Sequence, residues 1–242
     1  EGFLPQKDKV PGLKGPQDFL TETDEAVERH IRGRLADAFP DDGFLGEETG
    51  WSAGRNAIWV VDPIDGTANF ARSIPHFCVA IALVANGEVQ CGAIVNPAVD
   101  DLYFARKDEG AQRNGEAIHV SPTKDIRATS FELGWSNRVP QARYINALTA
   151  LLDAGSNVRR AASGALALAY VADYAELHMN AWDCLAGLLL VREAGGVTGH
   201  FLSRGGLRNG GAVLAATPAV APVLSAATAI PIVMEADRST GL

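Results

Sequence analysis

The chain has 242 residues, 47% of them hydrophobic, with 29 acidic against 21 basic side chains and a formal net charge of −8. That length can bury a sizeable core, as one compact unit or as two closely packed halves. The acidic balance argues against a general nucleic-acid partner and against an anionic membrane surface, because neither is attracted to it. No window approaches the ~18 uninterrupted apolar residues of a membrane span, and the N-terminus carries no signal-like apolar region. Cys78, Cys91 and Cys184 are widely spaced in apolar sequence, with no C-x-x-C pair. They read as buried thiols in a reducing cytoplasm, not as a disulfide framework or a zinc site.

In chain order, residues 1–17 are polar and rich in Pro, Gly and Lys, which predicts a loop or mobile arm. Thr21-Glu22-Thr23-Asp24 is a helix start, with hydroxyls able to cap and acids where the helix dipole favours them. Val27, Ile31, Leu35 and Phe39 then recur every fourth residue as one buried stripe, leaving Glu28, Arg29 and Arg32 outside. Asp41-Asp42-Gly43 is a turn, and Gly46-Glu47-Glu48-Thr49 places two carboxylates after a short apolar run.

Ile58-Trp59-Val60-Val61 has no polar residue to give a period of two, as expected of a strand buried on both faces. Pro63 lacks an N–H for the ladder, so the strand is expected to stop there and Asp62 and Asp65 to leave the sheet edge together. Two carboxylates so close repel one another unless a cation lies between them, and hard oxygen ligands suit Mg²⁺ or Mn²⁺. The alternative is an Asx-turn in which both side chains cap backbone N–H groups. Gly66 permits a positive φ, and Gly66-Thr67-Ala68 opens a helix whose free N–H groups form a phosphate seat.

Apolar runs at 78–84, 89–95 and 102–105, with Asn86-Gly87 between the first two, predict an antiparallel meander. The turn at 110–115 reads as structural, and His76 and His119 have no metal-ligand spacing. From Ser130 the pattern becomes alternating strands and helices: a strand at 131–133, helices at 142–154, 166–171 and 182–194, the last ended by Gly195-Gly196. The tail from 218 onward shows a small helical pattern and no visible chemistry.

Three motifs, Gly46-Glu47-Glu48-Thr49, Asp62-Pro63-Ile64-Asp65-Gly66-Thr67-Ala68-Asn69-Phe70 and the W-D-x-x-A-G-x-x-x-V-x-E-A-G-G run from Trp182 to Gly196, together resemble the inositol monophosphatase family. That superfamily also includes fructose-1,6-bisphosphatases, bisphosphate nucleotidases and some histidinol-phosphate phosphatases. Weaker echoes extend the resemblance over residues 14–216; against the family, most of a first helix is missing at the N-terminus. The resemblance implies an α/β (α+β) fold layered αβαβα, with a mostly antiparallel first sheet. It divides the chain into an N-terminal αβ half, 1–128, carrying most metal ligands, and a C-terminal αβα half, 129–242, closing the site.

It further implies a phosphate monoester hydrolase using two or three Mg²⁺ ions, with Mn²⁺ able to substitute and sensitivity to Li⁺. Glu47, Asp62, the Ile64 carbonyl, Asp65 and Asp183 would hold metal. Asp24 and Thr67, with Glu47, would position the attacking water, and Gly66 and Thr67 would hold phosphate. Ala162, Ser163, Gly164 and Glu176 would face the substrate, with Lys14 and Glu48 as further possibilities. Arg159-Arg160-Ala161-Ala162-Ser163-Gly164-Ala165 departs from the family's R-x-x-G-[ST]-A-A at two places, Ala162 for glycine and Gly164 for alanine. The substrate implied is inositol monophosphate, with sugar bisphosphate, histidinol phosphate or a 3′-phosphonucleotide as alternatives, and a non-catalytic metal-binding scaffold as the alternative outside enzymes. A homodimer is implied as well.

Overall fold

The computed structural model describes residues 22–170 and 173–232 in full and residues 12–15 and 18–20 as backbone. The strands are β1 (Gly12–Gly15), β2 (Asp18–Leu20), β3 (Gly43–Gly46), β4 (Gly50–Ser52), β5 (Ile58–Asp65), β6 (Cys78–Ala85), β7 (Glu88–Asn96), β8 (Asp101–Arg106), β9 (Ala111–Arg113) and β10 (Glu116–Ile118). Beyond them lie β11 (Ser130–Leu133), β12 (Asn157–Arg159), β13 (Tyr174–Met179), β14 (Val197–Thr198) and β15 (Gly211–Ala216). The helices are α1 (Glu22–Ala38), α2 (Thr67–Phe70), α3 (Gln141–Asp153), α4 (Gly164–Ala169), α5 (Ala181–Glu193), α6 (Gly206–Asn209) and α7 (Ala221–Thr228).

An eight-stranded sheet runs β10-β9-β8-β7-β6-β5-β3-β4 and is antiparallel except where β3 lies parallel to β5. The Asn86-Gly87 turn works as its sequence predicts: both residues take a positive φ, at 54° and 77°, and β6 and β7 pair antiparallel across it. A five-stranded sheet runs β12-β11-β13-β15-β14, with β11 parallel to both its neighbours. Helix α1 packs on β5; α4 and α5 fill the space between the sheets; α3 and α7 pair on the outer side of the second sheet. This is the αβαβα layering.

The central layer explains the apolar character of α5. A helix touching one sheet needs one apolar stripe, whereas α5 contacts β5 to β8 on one side and β14 and β15 on the other, so nine of its residues are buried around its circumference. Small residues allow the close approach: a Cβ on Gly187 would lie 2.4 Å from the Leu168 Cβ on α4, and one on Gly92 of β7 would lie 2.8 Å from the Ala186 Cα.

Three expectations are corrected. The strand does not stop at Pro63: β5 continues to Asp65, and opposite β6 it spends three steps, Asp62 to Asp65, against two, Ala80 to Cys78. Proline is tolerated because it sits in this irregularity, where no ladder N–H is needed. Within the predicted arm, residues 12–15 pair antiparallel with 18–20 as β1 and β2. On α1 the apolar stripe is only half-buried and Phe39 is 47% exposed, resting against Trp59 with ring centroids 5.2 Å apart. Glu28, expected outside, is fully buried.

Candidate metal and phosphate site

The bulge in β5 re-aims two carboxylates that straight strand geometry would send to opposite faces. Asp62 turns back on its own chain and accepts from the Ile64 N–H at 3.0 Å. Asp65 reaches across to the start of α4, where it accepts from the Ser163 hydroxyl at 2.6 Å and from the Ala165 N–H at 2.8 Å, with the Gly164 N–H at 3.3 Å. A carboxylate is favoured there because the first N–H groups of a helix have no partner within it. Asp183, on the first turn of α5, accepts from the Asn180 N–H at 2.8 Å in a reciprocal capping box.

These three carboxylates converge: each offers an oxygen within 4.8 Å of the others. All three carboxyls are held above their usual range, and burial is the first cause in each. For Asp62 the charges of Glu47, Asp65 and Asp183 add to it; Asp65 is partly relieved by the Ser163 and α4 donors; Asp183 reaches about 7. Buried acids that destabilise one another's ionised forms match a divalent cation in charge and donor type. The residues present therefore fit Mg²⁺.

Gly66 follows at φ 92°, a conformation that L side chains rarely adopt. A Cβ there would also press on the His76 and Ala162 carbonyls and on Ser163, all at 3.1–3.2 Å. The Thr67 hydroxyl lies 2.9 Å from the Ile64 carbonyl and 3.3 Å from Asp24 Oδ1, so Thr67 is held between the metal corner and α1. Asp24 is buried on α1. Thr67 and Ala68 open the single turn of α2, and the first N–H groups of a turn lack acceptors within it.

A cavity of about 750 Å³ extends from this corner, lined among others by Glu47, Asp65, Gly66, Thr67, Ala162, Ser163, Gly164, Glu176 and Asp183. Glu47 stands outside the three-carboxylate cluster, near enough for its charge to act on Asp62. Glu176 accepts from the Tyr174 hydroxyl at 2.6 Å, and burial pushes its carboxyl up to about 7. The Ile64 side chain is in the core, and its carbonyl already accepts from Thr67. The Glu48 backbone N–H is bound by Glu28. Lys14 falls on β1, and its side chain lies outside the described residues.

Both departures in the 159–165 segment have local consequences. Ala162 takes φ 61°, the left-handed region that glycine occupies without cost. Gly164 leaves room for its neighbours: a Cβ there would lie 2.5 Å from the Met179 Cε and 3.0 Å from the Tyr174 hydroxyl. Sequence reasoning missed Asn69, whose amide donates to the His76 carbonyl at 2.7 Å and the Ala161 carbonyl at 2.9 Å, tying the D-G-T turn to the cavity wall. Its place in the motif was the available signal. It also missed Arg138 and Arg160 on the cavity wall, which no spacing in the sequence distinguishes from solvated arginines.

The two-sheet fold defines a layered α/β protein with an acidic corner at a strand bulge that could hold a metal ion. The chain belongs to the inositol monophosphatase family, whose pattern it matches over residues 4–230. It is 40% identical over 195 residues to a protein named Nus factor SuhB of Xylella fastidiosa, covering 78% of this chain and 71% of that one. It is 39% identical over 193 residues to the inositol-1-monophosphatase of Rhizobium meliloti, covering 76% and 73%. Among solved structures, the extragenic suppressor protein suhB from Bartonella henselae superposes with a TM-score of 0.84 at 32% identity, covering 92% of this chain and 89% of the other.

Proposed function

We propose that this protein is a Mg²⁺-dependent phosphate monoester hydrolase acting on inositol monophosphate. The observation that carries the reading is the convergence of Asp62, Asp65 and Asp183 within 4.8 Å, beside a cavity that Asp65, Asp183, Thr67 and Glu176 line. Mg²⁺, two or three ions with Mn²⁺ able to substitute, would supply the positive charge that activates water and offsets charge on the leaving oxygen. Glu47, Asp62, the Ile64 carbonyl, Asp65 and Asp183 would hold it. Asp24 and Thr67 orient the attacking water. The Gly66 and Thr67 N–H groups hold the phosphoryl oxygens. Ala162, Ser163 and Gly164 form the wall against the substrate ring, and Glu176 receives a ring hydroxyl.

The proposal includes a cytoplasmic location, in keeping with three free thiols, and a division at residue 128, between the two sheets. It also includes a homodimer formed through the exposed Val95, Val99 and Leu102 at one end of the β7–β8 pair.

The relatives named Nus factor SuhB favour a second reading, in which a metal-binding scaffold engages a macromolecule. The net charge of −8 favours a protein over a general nucleic-acid partner in that reading. Phosphate release from inositol monophosphate, fructose bisphosphate, histidinol phosphate and 3′-phosphoadenosine phosphate, with Mg²⁺ and with a chelator, separates the readings. Metal-dependent turnover of inositol monophosphate is expected, and Asp65→Asn is expected to abolish it while the protein stays folded. Silence across the panel from protein that binds Mg²⁺ would leave the scaffold reading standing.

A further inference from the structure

One face of α1 carries a polar ladder with a four-residue step: Asp24, Glu28 and Arg32, all on the side that meets the site loops. Asp24 lies by the Thr67 hydroxyl. Glu28 is fully buried, and its two carboxylate oxygens accept separately from the backbone N–H groups of Glu48, at 2.8 Å, and Thr49, at 2.7 Å. Arg32 donates to the Thr49 hydroxyl at 2.7 Å and stacks over Phe44 at 5.2 Å. Among the described residues no cation pairs with Glu28. A buried carboxylate in that situation is costly unless the bonds it makes are well formed.

Those bonds frame Glu47. The Glu47 N–H donates to the Val61 carbonyl of β5 at 3.3 Å, and the next two N–H groups go to Glu28, so three successive amides around Glu47 are anchored. Gly46 belongs to the same arrangement: a Cβ there would lie 2.4 Å from the Glu28 carboxyl carbon. The glycine that opens the G-E-E-T motif thus leaves room for a side chain 18 positions earlier in the sequence, which a Cβ would push off its two amides. Loops that carry a metal ligand are mobile unless something fixes them, and groups that orient a ligand without touching the metal typically change metal affinity 10–100-fold.

We propose that Glu28 is a positioning residue for the metal centre: its buried carboxylate clamps the Glu48 and Thr49 amides and so holds Glu47 beside Asp62. This rests on the reading of Glu47 and Asp62 as metal ligands. Helix α1 thereby braces both site turns, the Thr67 turn through Asp24 and the Glu47 turn through Glu28.

The test is Mg²⁺ binding by titration calorimetry on Glu28→Gln and wild type without substrate, beside thermal unfolding in chelator. The amide keeps the shape but sets an NH₂ against one of the two N–H donors, so Mg²⁺ affinity should fall about tenfold or more. At saturating Mg²⁺ the substrate KM should stay within about twofold of wild type, and turnover should recover. Unchanged Mg²⁺ affinity in folded Glu28→Gln protein, whatever its melting temperature, would overturn the proposal, because a merely structural carboxylate moves stability alone. If Glu28→Gln does not fold, Glu28→Asp serves, keeping the charge but withdrawing it from the amides: weakened Mg²⁺ binding supports the clamp, and unchanged binding overturns it. Failure of wild type itself to bind Mg²⁺ would instead remove the metal reading on which the clamp rests.

Discussion

Ala162 is a residue of the site wall at which this chain's sequence and its backbone conflict. Its φ of 61° belongs to glycine's territory, and a non-glycine residue held there costs on the order of 1–2 kcal/mol. Asn69 bonds to the carbonyl of the preceding residue, while Ser163 and the start of α4 are held by Asp65, so the strain is imposed from both sides. Ala162→Gly should therefore stabilise the protein by about 1 kcal/mol and raise the melting temperature by about 2–4 °C. Calorimetry would check this, and a lower melting temperature would show that the alanine methyl is worth more than the strain. The substitution itself was visible as a motif mismatch; its cost was not, because φ is set by the two anchors.

At the scale of elements, three acidic residues arrive by two routes. The β5 bulge delivers Asp62 and Asp65, and α5 delivers Asp183 from far along the chain. Burial raises all three carboxyls, with repulsion from neighbouring acids adding for Asp62 and Asp183, and Glu176 on β13 is raised to about 7 as Asp183 is. An acid whose folded pKa is raised keeps its proton on folding. Its stabilising contribution is complete below the unfolded value near about 4 and is lost as pH climbs toward 7. The metal-free protein should thus melt at progressively lower temperature from pH 5 to pH 8, and Mg²⁺ should flatten that fall by meeting the charge. Melting curves in chelator and in Mg²⁺ across that range test it; stability rising with pH in chelator would contradict the raised carboxyls.

Helix α1 buries a polar face beside its apolar one. A four-residue period marks a helical face but not which of two adjacent faces turns inward. Val27, Ile31 and Leu35 made the apolar face conspicuous. The neighbouring face of Asp24, Glu28 and Arg32 has the same period and looks solvent-facing until β3 and its turn come to lie against it.

For the whole molecule, the acidic surface and the exposed apolar group at Val95, Val99 and Leu102 bear on association. An apolar group of this kind at the end of a rigid sheet fits a second copy of the chain. Leu102→Lys should convert the proposed dimer to monomer, read as a halved mass by light scattering, with little change in metal-free melting because Leu102 is 45% exposed. A wild-type protein that is already monomeric would remove the homodimer from the proposal.

Much of this protein is determined locally and is legible in its residues. The Asn86-Gly87 hairpin, the start of α1 at Glu22, the apolar run of α5 and the glycine after Asp65 are short-range matters of backbone preference and periodicity. The motif aspartates announce acid chemistry because like charges at that spacing need a reason. Tertiary structure alone decides the rest. It carries β5 past Pro63 through a bulge, brings Asp183 to Asp62 and Asp65, ties Asn69 to the Ala161 carbonyl and turns Glu28 inward onto the Glu48 and Thr49 amides. These depend on segments distant in sequence, and for Asn69 and Glu28 the partners are backbone amides and carbonyls that every residue possesses, so no side-chain pattern marks those bonds in advance.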